Sequence, residues 1–321
     1  MKTYHGLLLL YKEKGYSSHD LVAKVRRLLN TKEVGHAGTL DPLAEGLMCL
    51  LIGEGTKLSS YILEQNKEYI AELELGKRTD SFDITGTIVS ETPVEVDSKK
   101  ITEEVLKLKG SFDWPVPIFS AVKVNGEKLY NLARKKRREN EAAESGNSEE
   151  HEPKAPPVIP IKNMTFFEVE LVKVESPKVT VRLFCSKGSY VRTWISQLGE
   201  SLRCGATMTA LVRTKSLPFS LKQALKLEQM QALVAQEKDL PNYIPMNQCL
   251  GSVPNVKVQG ASLSLMLNGQ ISNDLKTQLI SIVDPENTEL IKVVSTKNED
   301  LVALIGFEKN VGFKIKRVFR Y

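Results

Sequence analysis

The stretch VGHAGTLDPLAEGLMCLLIGEGTK, residues 34–57, sets five glycines around one histidine and one aspartate. Glycine adopts backbone conformations that other residues avoid, and it lets the chain approach a ligand closely. The proline after Asp41 favours an extended or turn conformation at the aspartate. The apolar run LMCLLIG that follows is typical of a short buried strand or helix. We therefore predict that His36 and Asp41 lie on a shaped loop that leads into a buried element.

The 321-residue chain has an ordinary soluble composition, with 41% apolar and 26% charged residues. No apolar run reaches the roughly 20 residues that span a bilayer, so we predict no membrane association. The four cysteines are scattered without a C-x-x-C pair, which argues against a zinc site or a disulfide scaffold and favours the reducing cytoplasm. A formal net charge of +5 permits nucleic acid as a partner without establishing one.

Strand and helix signals alternate along the chain. Ser17 and Asp20 form a capping-box pattern at the start of an amphipathic helix. Residues 66–91 alternate polar and apolar positions around an Asp-rich connection and predict a hairpin-like pair of strands. Residues 101–110 predict a short helix that ends at Gly110. Antiparallel pairs with interspersed helices favour an α+β fold over a doubly wound parallel sheet.

Two changes in composition suggest the domain organisation. Residues 139–160 are rich in Glu, Ser and Pro, so we predict a disordered charged loop at about residues 135–158. After residue 240 the chain becomes linker-like, and Val256–Tyr321 is strand-rich, with the size of a small β-barrel. We predict a larger domain over residues 1–245 and a small β-barrel domain over residues 250–321.

Asp41 is the foremost candidate for chemistry, and two interpretations of it stay open. An acidic residue in a glycine-rich loop can simply form a turn or cap a helix, whereas a nucleophile or general base needs a partner that keeps it ionised. Arg192 is a candidate partner because a guanidinium fork can clamp a carboxylate. His36 suits a structural loop position or a contact to base or phosphate. Tyr69 and Tyr190 lie in apparent strands, where core packing is the usual role of an aromatic residue.

Common cofactor motifs do not occur in the sequence. No second His or Cys lies at metal-ligand spacing from His36, so we predict no metal site. The glycines of GEGTK do not match the phosphate-binding pattern G-x-x-x-x-G-K-[ST], and no G-x-G-x-x-G follows a strand. We therefore predict neither a metal nor a nucleotide cofactor.

Five blocks of the sequence resemble, in the same order, the TruB family of tRNA pseudouridine synthases. Residues 35–57 are similar to the signature loop of the family, and residues 11–27 to its N-terminal strand and helix. Residues 67–86 resemble its tyrosine strand and Asp-rich loop. IFSAVKVNGEKLYNLAR, residues 118–134, resembles its RNA-gripping segment, and residues 185–214 its arginine motif. Together the blocks cover about residues 5–215.

The resemblance implies a cofactor-independent isomerisation of uridine-55 in the T-arm of tRNA to pseudouridine. It implies that Asp41 is the catalytic nucleophile on a flipped-out base, that Arg192 holds Asp41 by a salt bridge, and that Tyr69 stacks on the uracil. It also implies four substrate-binding residues, which are Lys12, His36, Tyr190 and Leu211.

The resemblance further implies the fold and the setting. The expected fold is α+β, with a mixed, mainly antiparallel sheet flanked by helices in a catalytic domain over residues 1–245. A PUA-like RNA-binding β-barrel is expected over residues 250–321. The expected protein is a cytoplasmic monomer whose partner is tRNA, and a second role as a tRNA folding chaperone is compatible with these features.

Three other functions compete with this one. A guide-RNA-dependent pseudouridine synthase would carry extra N-terminal segments, and we expect none because the chain starts close to its first strand. An RNA chaperone without catalysis would not need its Asp, Tyr and Arg positions intact. A glycoside hydrolase would need a second carboxylate at a defined separation, for which Asp80 and Asp83 are the candidates.

Overall fold

A computed structural model describes residues 3–135, 158–286, 289–309 and 311–321. The chain forms two compact units. The N/C unit combines Met1–Gln65 with Ser216–Tyr321, and the central unit comprises Asn66–Lys215. Apart from its two ends, the charged loop predicted at about residues 135–158 lies outside the described residues.

The strands of both units, in chain order, are β1 (Gly6–Lys12), β2 (Val34–His36), β3 (Glu45–Ile52), β4 (Lys67–Leu75), β5 (Lys77–Thr79), β6 (Ile88–Glu91), β7 (Gly110–Pro115), β8 (Lys123–Val124), β9 (Glu127–Lys128), β10 (Ile161–Glu175), β11 (Lys178–Cys185), β12 (Ala206–Ser216), β13 (Phe219–Ser220), β14 (Tyr243–Pro245), β15 (Asn255–Val258), β16 (Leu290–Ser295), β17 (Leu301–Glu308) and β18 (Gly312–Val318). The α-helices are α1 (Ser18–Leu28), α2 (Ser59–Leu63), α3 (Ser98–Lys107), α4 (Val191–Ser201), α5 (Leu227–Ala235), α6 (Gly260–Leu267) and α7 (Asn273–Ile282). Short 3₁₀ helices occupy Gly53–Leu58, Leu221–Gln223 and Met246–Gln248, and residues 129–135 are also helical.

In the N/C unit, the apolar run after Asp41 is strand β3, of which seven of eight residues are buried. It pairs antiparallel with β1, so that Leu50 lies opposite Leu8. Strand β1 also pairs with β14, and β2 pairs with β3. A strand buried on both faces reads as a continuous apolar run, because neither face meets water. The loop that carries Asp41 is thus anchored on the most buried strand of this unit.

The C-terminal part of the N/C unit forms a four-stranded sheet in the order β15-β16-β17-β18. Strands β15 and β16 are parallel, and the other two pairings are antiparallel. One face of this sheet packs against α6 and α7. Over the described residues the sheet begins at β15 and ends at β18, and no pairing between these two edge strands closes it. The predicted small β-barrel is therefore not confirmed.

The C-terminal segment also contributes to the main core of the N/C unit. Leu301, Leu304 and Phe319 are buried in one cluster with Leu7 and Leu51 of the N-terminal strands. The compact unit therefore continues across the predicted domain boundary between residues 245 and 250. The division into two functional domains at that boundary stays a prediction.

Leu304 offers a direct test of this shared core, because its side chain is 0% exposed. We expect Leu304→Ala to lower the free energy of unfolding by about 2–5 kcal/mol, the usual cost of a large core truncation. Urea unfolding followed by circular dichroism measures it. Val311→Ala, at a position 71% exposed, is the matched control and should unfold like the parent. Equal stability of the Leu304 variant would contradict the shared core.

The central unit contains the sheet order β12-β4-β11-β10-β7. The pairs β4–β11, β11–β10 and β10–β7 are antiparallel. Of the predicted hairpin over residues 66–91, β5 pairs with β6 across the Asp-rich connection, whereas β4 pairs with β11. The helix predicted over residues 101–110 is α3, but it ends at Lys107, and Gly110 instead begins β7. The mixed α+β class, with mainly antiparallel strands and flanking helices, is therefore confirmed. Among the described residues, no helix combines the length and apolar character needed to cross a membrane.

Candidate active site

Asp41 lies in the loop between β2 and β3, and a buried lysine donates hydrogen bonds to the backbone of that loop. Lys12, at the end of β1, is fully buried. Its ammonium donates to the carbonyl oxygens of Ala44 at 2.5 Å and Pro42 at 3.5 Å. The Asp41 carbonyl accepts from the Ala44 amide at 3.0 Å. The structure thus brings Lys12 to the Asp41 loop, where it holds the backbone after the aspartate.

Two glycines of this stretch have backbone angles that few other residue types adopt. Gly38 has φ 101° and Gly46 has φ 104°, values that residues with a Cβ atom rarely adopt. One precedes Asp41 and the other follows it, at the start of β3. The chain therefore turns on both sides of the aspartate at positions that favour glycine.

His36 lies at the end of β2, opposite Leu50 on β3. Its ring packs edge-to-face on the ring of His19, with centroids 5.4 Å apart and an interplanar angle of 76°. His19 belongs to the first turn of α1, and the sequence analysis did not single it out. Its position directly after Ser17 and Ser18, at the predicted start of the helix, was the sequence feature that could have pointed to it.

Arg192 lies in the first turn of α4 and is buried. Its guanidinium donates to the carbonyl oxygens of Ser81 at 3.1 Å and Phe119 at 2.8 Å. It also forms an ion pair with Asp83, at 3.5 Å between Nη1 and Oδ2. Sequence reasoning considered Asp83 only as a second carboxylate for glycoside hydrolysis and missed it as the partner of Arg192.

The Asp83 carboxylate is itself held by its own loop. Its Oδ1 accepts from the Ser81 hydroxyl at 2.9 Å, from the Thr85 amide at 2.9 Å and from the Thr85 hydroxyl at 2.5 Å. Several donors on one oxygen hold the carboxylate in a single orientation. The loop of residues 81–85 therefore positions the Asp83 side chain beside Arg192.

The remaining predicted site residues of the central unit lie on its sheet or at the start of α4. Tyr69 is on β4, opposite Leu183 of β11, and Tyr190 is the residue that precedes α4. Both tyrosines are half-buried. Leu211 is a buried residue of β12, and β12 is the neighbour of β4 in the sheet. Asp41 lies in the N/C unit and Arg192 in the central unit, and the salt bridge between them stays a prediction.

Next to Tyr69, the buried carboxylate of Glu68 joins three strands of the central unit. It accepts hydrogen bonds from Thr214 at 2.8 Å, Lys215 at 2.9 Å and Arg182 at 3.1 Å. Burial raises the pKa of Glu68, but these hydrogen bonds outweigh it and place the pKa below the ordinary 4.5. Since neighbouring strand residues point to opposite faces, this network lies behind the sheet face that Tyr69 occupies.

The lowered pKa of Glu68 predicts a pH-dependent contribution to stability. The ionised form is favoured in the folded state, so its contribution is complete above pH 4.5 and disappears as the pH falls through the lower folded value. We expect Glu68→Gln to be less stable than the parent at pH 7, with the gap closing toward pH 3 in urea unfolding. Glu72→Gln, at an exposed position of the same strand, is the control. A gap that is constant with pH would contradict the ionic role of Glu68.

Within the described residues, no group of three or more His, Cys, Asp or Glu side chains is placed to hold a metal ion. The N/C unit carries Asp41 on a loop to which Lys12 donates hydrogen bonds. The central unit carries the Arg192 guanidinium and two half-buried tyrosines. Such groups can supply a nucleophile, an orienting cation and stacking surfaces.

Family models match this chain in two places. The model of the TruB family pseudouridylate synthase N-terminal domain matches residues 26–152. The model of the tRNA pseudouridylate synthase B C-terminal domain matches residues 192–250. The first match includes the Asp41 loop, β4 and the 81–85 loop, and the second begins at Arg192.

Curated relatives match over most of their length. The chain is 43% identical over 319 residues to tRNA pseudouridine synthase B of Bdellovibrio bacteriovorus, covering 99% of this chain and 98% of the relative. It is 34% identical over 265 residues to the protein of the same name from Thermotoga maritima, covering 83% of this chain and 79% of the relative.

Solved structures share the fold at lower identity. A chain in the structure of an H/ACA RNP bound to a substrate RNA containing 2'-deoxyuridine matches with a TM-score of 0.67 and 18% identity, covering 98% of this chain and 85% of that chain. A chain of a Cbf5-Nop10-Gar1 complex matches with a TM-score of 0.66 and 20% identity over the same shares. At these identities the likeness establishes the fold alone.

Proposed function

The chain belongs to the TruB family and is a tRNA pseudouridine synthase, and from this premise we propose that it isomerises uridine-55 in the T-arm of tRNA with Asp41 as the nucleophile. The observation that carries the proposal is the 43% identity to a tRNA pseudouridine synthase over 99% of the chain. The supported Asp41 loop adds to it, because a nucleophile must be held in place.

Asp41 has the chemistry that this isomerisation requires. The reaction breaks the N-glycosidic bond of uridine, turns the base while it stays bound and joins C5 to the ribose. A carboxylate can attack ribose C1′ or the base, and it can leave again in either case. Both routes need an ionised and oriented carboxylate. The hydrogen bonds from Lys12 to the carbonyl oxygens of Pro42 and Ala44 support the orientation, because they hold the backbone that follows Asp41.

Arg192 is proposed to orient Asp41 by a salt bridge. A guanidinium carries five N–H donors in a planar fork, so its contacts to Ser81, Phe119 and Asp83 are compatible with a further one to Asp41. Those contacts fix the plane of the guanidinium from within the central unit. A clamp held in this way loses little freedom when it binds a carboxylate.

The other predicted site residues are proposed to hold the flipped nucleotide. Tyr69 stacks on the uracil near C5, while Tyr190 and Leu211 line the pocket. His36, with its ring supported by His19, stacks in the RNA loop that the target leaves. Extruding a base costs a few kcal/mol, which contacts of this kind offset. The isomerisation adds and removes no atoms overall, so the proposed reaction uses no cofactor.

The C-terminal residues 250–321 are proposed to serve RNA binding as a PUA-like domain, next to a catalytic domain over residues 1–245. The support is a set of exposed cations on and after β18, which are Lys314, Lys316, Arg317 and Arg320. Cations at such positions can contact phosphate oxygens. A cytoplasmic monomer and a second role in tRNA folding complete the proposal.

An isolated T-arm stem-loop tests the substrate assignment. The purified protein is incubated with a stem-loop whose target uridine carries tritium at C5, since this hydrogen is lost when C5 bonds to the ribose. We expect tritium release from this RNA. A stem-loop labelled instead at a stem uridine, with cytidine at the target position, is the matched control and should release none. Equal release from both RNAs, or release only from another region of full-length tRNA, would contradict the T-arm assignment.

A further inference from the structure

Ser18 is a buried serine at the start of α1 whose hydroxyl does not cap the helix. The capping role belongs to Ser17, whose Oγ accepts from the Asp20 amide at 3.1 Å while the Asp20 carboxylate accepts from the Ser17 amide at 2.8 Å. Ser18 is only 2% exposed. Its hydroxyl is therefore available for a contact outside its own helix.

That contact is made to the residue directly before Asp41. The Ser18 hydroxyl donates to the Leu40 carbonyl at 3.1 Å and accepts from the Leu40 amide at 2.9 Å. One oxygen atom thus holds both polar groups of the Leu40 backbone. Since the Leu40 carbonyl belongs to the peptide plane that enters Asp41, this contact fixes the direction from which the chain reaches the aspartate.

The residue after Asp41 is held as well. The Gly15 amide donates to the Pro42 carbonyl at 2.8 Å, and Lys12 donates to the Ala44 carbonyl. Both supports come from the end of β1 and the turn that leads into α1. Asp41 is therefore bracketed by segment 12–18 on both sides, and Ser18 holds the side that Lys12 and Gly15 do not reach.

We propose that Ser18 is a positioning residue that sets the orientation of Asp41 through the backbone of Leu40. The proposal rests on the proposed role of Asp41 as the reacting carboxylate. Because the side chain of Ser18 is buried, it is not accessible for a contact with RNA. Its loss should therefore reduce the chemical step and leave substrate binding intact.

The expected size of the effect follows from the geometry that nucleophiles need. Misplacing a reacting group by about 1 Å can cost up to about 100-fold in rate. We expect Ser18→Ala to lower kcat by about 10- to 100-fold and to leave KM for tRNA within about twofold. Ser18→Cys keeps the shape of serine with a somewhat larger atom and forms only weak hydrogen bonds, so it should lower kcat in the same direction without leaving a cavity.

Ser17→Ala is the matched control. It removes an N-cap serine and should lower the melting temperature without a change in kcat. The experiment measures kcat and KM on a tRNA transcript, together with thermal melting, for the parent, these three variants and Asp41→Asn. A merely structural role would make kcat follow the melting temperature in all of them.

The possible results distinguish the proposed role of Ser18 from the proposed role of Asp41. Lowered kcat with unchanged KM in the Ser18 variants, and parental kcat in Ser17→Ala, supports the positioning role. Parental kcat in either folded Ser18 variant, or a loss confined to KM, overturns it. An inactive parent or an active Asp41→Asn protein would instead show that the proposed function is wrong.

Discussion

Asp41→Asn is expected to reduce pseudouridine formation by at least about 10⁴-fold, the scale seen when a nucleophile is removed, while tRNA binding stays within about tenfold. The amide keeps the shape and much of the hydrogen bonding of the carboxylate, so the loop between β2 and β3 should keep its fold. It lacks the negative charge and cannot act as a nucleophile. Single-turnover assays on a tRNA transcript and filter binding measure the two quantities separately.

Asp97→Asn is the control for this substitution. Asp97 caps α3, where its carboxylate accepts from the Lys100 amide at 2.7 Å, and asparagine is an equally good N-cap residue. The control should keep parental activity. Mass spectrometry of the Asp41→Asn protein checks that the amide has not hydrolysed back to the acid. Turnover by the intact amide variant within about 100-fold of the parent would remove Asp41 from the nucleophile role.

Arg192→Lys is expected to lower kcat by about 100- to 1,000-fold, because an ammonium cannot reproduce a planar fork that is held at several points. The guanidinium of Arg192 reaches two carbonyl oxygens and the Asp83 carboxylate in a buried site. A lysine side chain is shorter in reach and offers a point charge. Under the proposed salt bridge to Asp41, a lysine could pair with Asp83 or with Asp41 but not with both at once. Steady-state kinetics with circular dichroism as a check of folding measure the effect.

Arg182→Lys is the matched control for the same chemical change at a more exposed position. Arg182 is more exposed than Arg192 and pairs with the buried Glu68 and the exposed Glu170, and a lysine can pair with either carboxylate there. We expect near-parental kcat for this variant. A folded Arg192→Lys protein with near-parental kcat would place the orienting role on another residue.

Short sequence patterns predicted the parts of the fold that depend on interactions between residues close together in the chain. The capping box at Ser17 and Asp20 is present as predicted, because its donors and acceptors lie three residues apart on one chain. The apolar run after Asp41 is a buried strand, because a strand covered on both faces needs apolar residues at every position. Periodicity alone left helix and strand open for that run, and pairing with β1 decides between them.

Contacts between distant segments could not be read from the sequence. Arg192 and Asp83 meet because α4 and the 81–85 loop belong to one unit, and nothing in the spacing of the two residues indicates it. Leu304 and Leu7 share a core for the same kind of reason. The composition shift after residue 240 reports a change of local character, and it carries no information about which strands a later segment packs against.

The proposed role of Asp41 in the isomerisation of one uridine in tRNA can be tested by mapping pseudouridine in the product. The pure protein is incubated with an unmodified tRNA transcript without added cofactor, and pseudouridine is mapped by carbodiimide treatment and primer extension. The parent is predicted to give a single new stop at uridine-55, and Asp41→Asn is predicted to give none. Stops at other positions, no stop with the parent, or the same stop with Asp41→Asn would contradict the proposal.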